Sequence, residues 1–149
     1  MEVEKIKEMM DACYMAKRIR EMLPTLPDGV APSYIRIMDA IQELETGDRM
    51  VRVSDISEVL NLPRPGVTRT IKEMEAKGYL KKIASDGDGR ITYVILTNEG
   101  KKLSEKYNRQ YFSELTAYMD DISEQEADCM ICTTKKLYKI MCERKNKFE

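Results

Sequence analysis

The sequence predicts a mainly α-helical fold with one small antiparallel β-wing, and three observations carry that prediction. Apolar residues recur at helical spacing through most of the 149 residues. Only two runs, 79–84 and 90–96, are rich in β-branched and aromatic residues, and the SDGDG stretch at 85–89 separates them with strong turn chemistry. Proline, glycine and capping residues divide the remainder into helices.

The elements follow in order. Residues 1–23 read as an amphipathic helix with Ile6, Met9, Cys13, Ala16 and Leu23 on one face. Pro24, Pro27, Gly29 and Pro32 then make a loop. Ser33 is the expected N-cap of a second helix, whose stripe is Tyr34, Ile37, Met38, Ile41 and Leu44. A very short strand at 50–53 precedes a brief helix, 55–61, with Ser54 as its expected cap and Ile56, Val59 and Leu60 facing inward. A tight turn at 61–63 leads into a helix over 64–77. Pro65 fits its first turn, where no intrahelical N–H is needed, and Gly78 is placed to end it in the left-handed conformation. After the hairpin, Thr97 caps a long helix, 98–120, with Leu103, Tyr107, Tyr111, Leu115 and Tyr118 as its stripe. The SEQE stretch at 123–126 is a capping box for a last helix, 123–143. There Ala127, Met130, Ile131, Thr134, Leu137, Tyr138 and Met141 share one face at heptad-like spacing.

Composition narrows the function. Hydrophobic residues are 42% and charged residues 34%, enough for a core with a well-solvated surface. No apolar run approaches the ~18 residues of a membrane span. The first residues alternate charge with apolar side chains and lack the apolar region of a signal peptide. The expectation is a cytoplasmic protein with no membrane partner, whose four cysteines are reduced thiols. The absence of histidine excludes Ser–His and Cys–His catalytic pairs, histidine-ligated metals and a histidine pH switch. No enzymatic activity, cofactor or metal centre is expected. The net charge is −1, but its distribution is uneven. Segment 23–60 carries seven acids and three bases, whereas 61–91 carries seven bases and four acids. A local basic surface attracts phosphate even when the whole chain is nearly neutral.

Segment 54–96 carries the function. A short helix, a tight turn and a second helix form a helix-turn-helix, and the hairpin after it makes the unit a winged helix. Setting Val67 at zero and stepping ~100° per residue, Ile71 and Met74 fall beside it, while Pro65, Arg69 and Lys72 fall opposite. A major groove ~12 Å wide admits one such helix. Arg69 has the geometry to donate two hydrogen bonds to guanine, and Thr68 suits a base edge, a phosphate or a thymine methyl. Arg64 and Lys72 are better placed for phosphates, and Gly66 lets the backbone approach closely. On the wing, Arg90 is a candidate for the minor groove, with Asp88 orienting it.

The motifs DISEVLNL at 55–62, VTR at 67–69, MEAKGYL at 74–80, DGDGR at 86–90 and LTNEG at 96–100, in this order, resemble the MarR family. With the flanking helices the resemblance covers nearly the whole chain. It implies a dimeric regulator, usually a repressor, often released from DNA by small phenolic ligands or oxidants. Two departures stand out. Gly89 replaces the first of two adjacent wing arginines, and Pro63 and Pro65 replace small polar residues at the start of the recognition helix.

The helices at 1–23 and 98–149 are too long to bury their stripes on the 33–96 DNA-binding region, so they are expected to form a homodimer interface. A two-fold dimer sets two recognition helices one DNA turn apart, ~34–36 Å, on a pseudo-palindrome. Tyr34, Met38, Tyr107 and Tyr111 are candidates to line a pocket for a small aromatic ligand. Cys129 and Cys132, at i and i+3, are neighbours on a helix. They offer the alternative of a redox sensor or a zinc-binding protein, with Cys13 and Cys142 as the further thiols.

Overall fold

The computed structural model describes residues 1–85, 87, 89–145 and 147. The chain divides into two compact units, Met1–Asn108 and Arg109–Glu149. The first contains α1 (Val3–Glu21), α2 (Pro32–Leu44), β1 (Val51–Arg52), α3 (Val53–Leu60), α4 (Arg64–Ala76), β2 (Leu80–Ala84), β3 (Thr92–Leu96) and α5 (Asn98–Ser104). A π-helical segment, Glu105–Gln110, follows α5. The second unit holds α6 (Tyr111–Leu115), a 3-10 turn (Thr116–Tyr118) and α7 (Glu124–Arg144). The sheet order is β1-β3-β2, antiparallel throughout, with Lys82 opposite Val94 and Val51 on the other side of the same residue. The fold is therefore mainly α with a small antiparallel wing, a winged helix-turn-helix.

Periodicity explains the core. Ile37, Met38 and Ile41 of α2, Ile56 of α3 and Val67, Ile71 and Met74 of α4 converge on Val51, Leu80 and Val94 of the sheet. Burying each such side chain contributes roughly 1.5–3 kcal/mol. Both ends of the helix-turn-helix close by backbone rules. Asn61 takes a φ of 51° at the end of α3, and Leu62 N–H donates to Ser57 C=O at 3.1 Å. Gly78, at φ 81°, ends α4 as expected, with Tyr79 N–H donating to Met74 C=O and Gly78 N–H to Glu75 C=O. Both are Schellman closures, which need a left-handed residue at that step.

Some local expectations are corrected. Ser33 does not cap α2: the helix begins at Pro32, whose fixed φ suits the first turn, and Ala31 stands at the N-cap without a side-chain bond. Ser54 does not cap α3, which begins one residue earlier; the Asp55 carboxylate instead accepts the Arg52 N–H at 2.9 Å. Val59 does not face inward. It is 50% exposed, because Ile56 and Leu60, four apart, take the inner face. The helix expected over 98–120 is not uniform α-helix but passes through the π segment and ends in a 3-10 turn.

Within the first unit α5 packs on α2 and the sheet. Thr97 caps it, accepting the Gly100 N–H at 3.2 Å, and its hydroxyl donates to Gly78 C=O at 2.6 Å. A Cβ on Gly100 would run into the Tyr79 carbonyl oxygen, so only glycine fits there. Ser104, fully buried, donates to Gln42 Oε1 at 2.5 Å, and Asn108 donates to both Ser104 Oγ and Ile35 C=O. In the second unit the Ser123/Glu126 capping box of α7 forms as expected. No helix of the described residues is long and apolar enough to cross a membrane.

Candidate nucleic-acid interface

Helix α4 is held on three sides, two of them by its own polar residues. On the α2 side, the Tyr34 hydroxyl donates to Glu73 Oε2 at 3.0 Å, and Lys77 lies over the Tyr34 ring at 5.2 Å. Lys77 also donates to Gly29 C=O at 2.6 Å, tying the loop before α2 to the end of α4. On the wing side, Glu75 accepts the Lys82 N–H at 3.0 Å and pairs with the Lys82 ammonium at 3.7 Å. That carboxylate covers an otherwise open N–H of the edge strand β2. The apolar side is buried through Val67, Ile71 and Met74. The two carboxylates of α4 thus have structural partners.

The remaining face is open. Arg64, Pro65, Thr68, Arg69 and Lys72 are all exposed and line one shallow concavity. Gly66 is half-buried and lies in a second concavity on the other side of Arg69, shared with Ser33 and Arg36 of α2. Among the described residues, Arg36, Arg64, Arg69 and Lys72 make no ion pair, whereas Arg49 and Arg52 both face Asp55. Such an arrangement presents unneutralised charge on a helix whose orientation is fixed. Arg90 is exposed on the wing. Asp88, its expected partner, and Asp86 lie outside the described residues.

The other candidates fall elsewhere. Tyr34, Met38 and Tyr107 belong to the core cluster of the first unit. Tyr111 lies in the second unit, edge-on to Phe112 with ring centroids 5.3 Å apart. Cys13, Cys129, Cys132 and Cys142 are exposed free thiols. Among the described residues no group of three or more cysteine, aspartate or glutamate side chains is placed to hold a metal ion. Sequence reading missed the Tyr34–Glu73 and Glu75–Lys82 pairs and the proximity of Arg36 to Arg69. All are tertiary contacts that periodicity does not encode, although an acid on an otherwise cationic helix was a signal that it had a partner.

A helix-turn-helix with a fixed second helix, an unpaired cationic face and a β-hairpin beside it defines a winged-helix protein of the DNA-binding type. Comparison with known proteins gives the same class. Residues 28–91 match the model of the MarR family. The chain is 23% identical over 103 residues to an uncharacterized HTH-type transcriptional regulator, YdgJ, of Bacillus subtilis (strain 168), covering 69% of this chain and 60% of that protein. FabT of Streptococcus pneumoniae, solved in complex with DNA, superposes with a TM-score of 0.67 at 20% identity, covering 95% of this chain and 99% of that one. A MarR/EmrR family regulator from Acinetobacter sp. ADP1 gives a TM-score of 0.67 at 21% identity, covering 96% and 99%. Its winged-helix segment, residues 28–91, is thus similar to the MarR family, and the fold is that of the solved members of that class.

Proposed function

We propose that the protein is a homodimeric, sequence-specific DNA-binding regulator, acting as a repressor on a pseudo-palindromic operator in the cytoplasm. The observation that carries this reading is the open face of α4, where Arg64, Thr68, Arg69 and Lys72 are exposed around one concavity that no carboxylate lines. In this reading α4 enters the major groove. Arg69 and Thr68 meet base edges, Arg64 and Lys72 hold phosphates, and Arg90 touches the flanking backbone or minor groove. The structural relative FabT, solved with DNA, supports the same use of the fold.

Dimerisation is supported by what α1 and α7 leave uncovered. Neither the 19-residue α1 nor the 21-residue α7 has a buried residue. Ile131, Tyr138 and Met141 of α7 are each more than half exposed, as are Val3, Met15 and Ile19 of α1. Helices gain most of their stability from packing an apolar face, so these faces call for a partner surface. A second copy supplies one and sets two α4 helices one turn of DNA apart. A small aromatic ligand or an oxidant would release the operator by favouring a different spacing of those helices.

Selection of bound fragments from a random duplex pool tests the reading. Enrichment of inverted half-sites with centres about 10–10.5 base pairs apart is expected. Recovery of no sequence, with no retention of DNA at low salt, would contradict it.

A further inference from the structure

We propose that Arg36, on α2 and outside the helix-turn-helix, contacts the DNA backbone, gripping one phosphate strand while Arg64 and Lys72 grip the other. The proposal rests on the DNA-binding reading and extends its footprint.

Two concavities meet at Arg69, one shared with Arg64 and Lys72, the other with Arg36. With Val67 at zero and ~100° per residue, Arg64, Thr68, Lys72 and Pro65 span roughly 60° to 160° of α4. On the same wheel Arg69 stands near 200°, and Gly66 and Thr70, which line the second concavity, near 260° and 300°. Arg69 therefore sits on the divide, and Arg36 flanks α4 on the side away from Arg64 and Lys72. A helix in a major groove ~12 Å wide has a phosphate strand on each side of it. Cations on both flanks fix its register without reading sequence.

The charge pattern agrees. Among the described residues no carboxylate lines either concavity. Several other cations near the helix-turn-helix are engaged: Arg49 and Arg52 with Asp55, Lys82 with Glu75, Lys77 with the Gly29 carbonyl. Arg36 is exposed and, among the described residues, makes no ion pair. Among the described residues it has no ion-pair partner that binding would have to displace.

The test is the salt dependence of binding, read by fluorescence anisotropy. The probes are a random-sequence duplex of about 30 base pairs, or three turns, and a duplex enriched by selection. The proteins are the unaltered chain, Arg36→Gln, Arg36→Lys and Arg69→Ala. Each phosphate contact contributes about 0.9 to the slope of log affinity against log salt. Arg36→Gln is expected to lower that slope by about 0.9 per copy, or about 1.8 for a dimer. Its deficit should then shrink about 12-fold between 50 and 200 mM salt. It should weaken both duplexes equally and leave sequence ranking unchanged, with an unaltered melting temperature, and Arg36→Lys should restore the slope. An unchanged slope and affinity in Arg36→Gln, with Arg69→Ala impaired, overturns the role of Arg36 and leaves the DNA reading standing. Displacement of the duplex by benzoate at constant ionic strength, lost in an Arg36→Gln protein of unaltered slope, assigns the groove to a small organic anion instead. An unaltered chain that retains neither duplex at low salt removes the DNA reading and this one together.

Discussion

Arg69 separates two cationic concavities and sits on a helix anchored by Tyr34, Glu75 and Lys77. Arg69→Ala is expected to weaken operator binding by about 1–3 kcal/mol and to relax preference at one base position. Competition binding with operators altered one base pair at a time measures both effects. The exposure of Arg69 was legible because it depends only on the 3.6-residue period and on which side of α4 is apolar. Gly100 was legible only as part of a motif. Its importance comes from the Tyr79 carbonyl, brought up from the other side of the hairpin. Gly100→Ala should destabilise the protein by about 1–3 kcal/mol or more, because the neighbour is backbone and cannot turn aside. A lowered urea midpoint with an unchanged slope would show this, and an unchanged midpoint would contradict the close approach.

Among the elements, the hairpin, Gly78 and the Ser123 capping box were readable because each is set by a few adjacent residues. Ser33 and Ser54 were misread for the same reason turned round. A serine before an apolar stripe is a cap signal, but Pro32 already begins α2 and Asp55 already serves the Arg52 N–H. The π segment left no local signature. Tyr107 there is buried, and the Asn108 amide donates to Ile35 C=O of α2, far away in sequence, as well as to Ser104 Oγ at the end of α5. The α7 cap carries a pH prediction. Two hydrogen bonds from Ser123, the backbone one first, hold the Glu126 carboxyl below the usual carboxylate value. A group whose folded pKa is lowered adds stability that is present above its unfolded value and lost as pH falls through the folded one. Helicity of α7 should therefore decline on acidification below the ordinary glutamate range, and Glu126→Gln should blunt that decline. Far-UV circular dichroism against pH reads it, and identical profiles would contradict the cap's contribution.

At the scale of the molecule, the winged helix closes its own core, while α1 and α7 keep their apolar faces exposed. The sequence carried this imbalance as an excess of stripes over surface to bury them. It did not carry the division of the chain, which falls after Asn108 because α5 packs on α2 through residues the periodicity left unassigned. Ile131→Asp, on the exposed stripe of α7, is expected to shift the protein from dimer to monomer in sedimentation velocity while the winged-helix core stays folded. A dimer of unchanged affinity would remove α7 from the interface. The most direct measurement of the central claim is hydroxyl-radical footprinting of a selected operator. Two protected segments on one face of the duplex, with centres about 10–10.5 base pairs apart, are predicted; a single protected segment, or none at low salt, would contradict a paired presentation of α4.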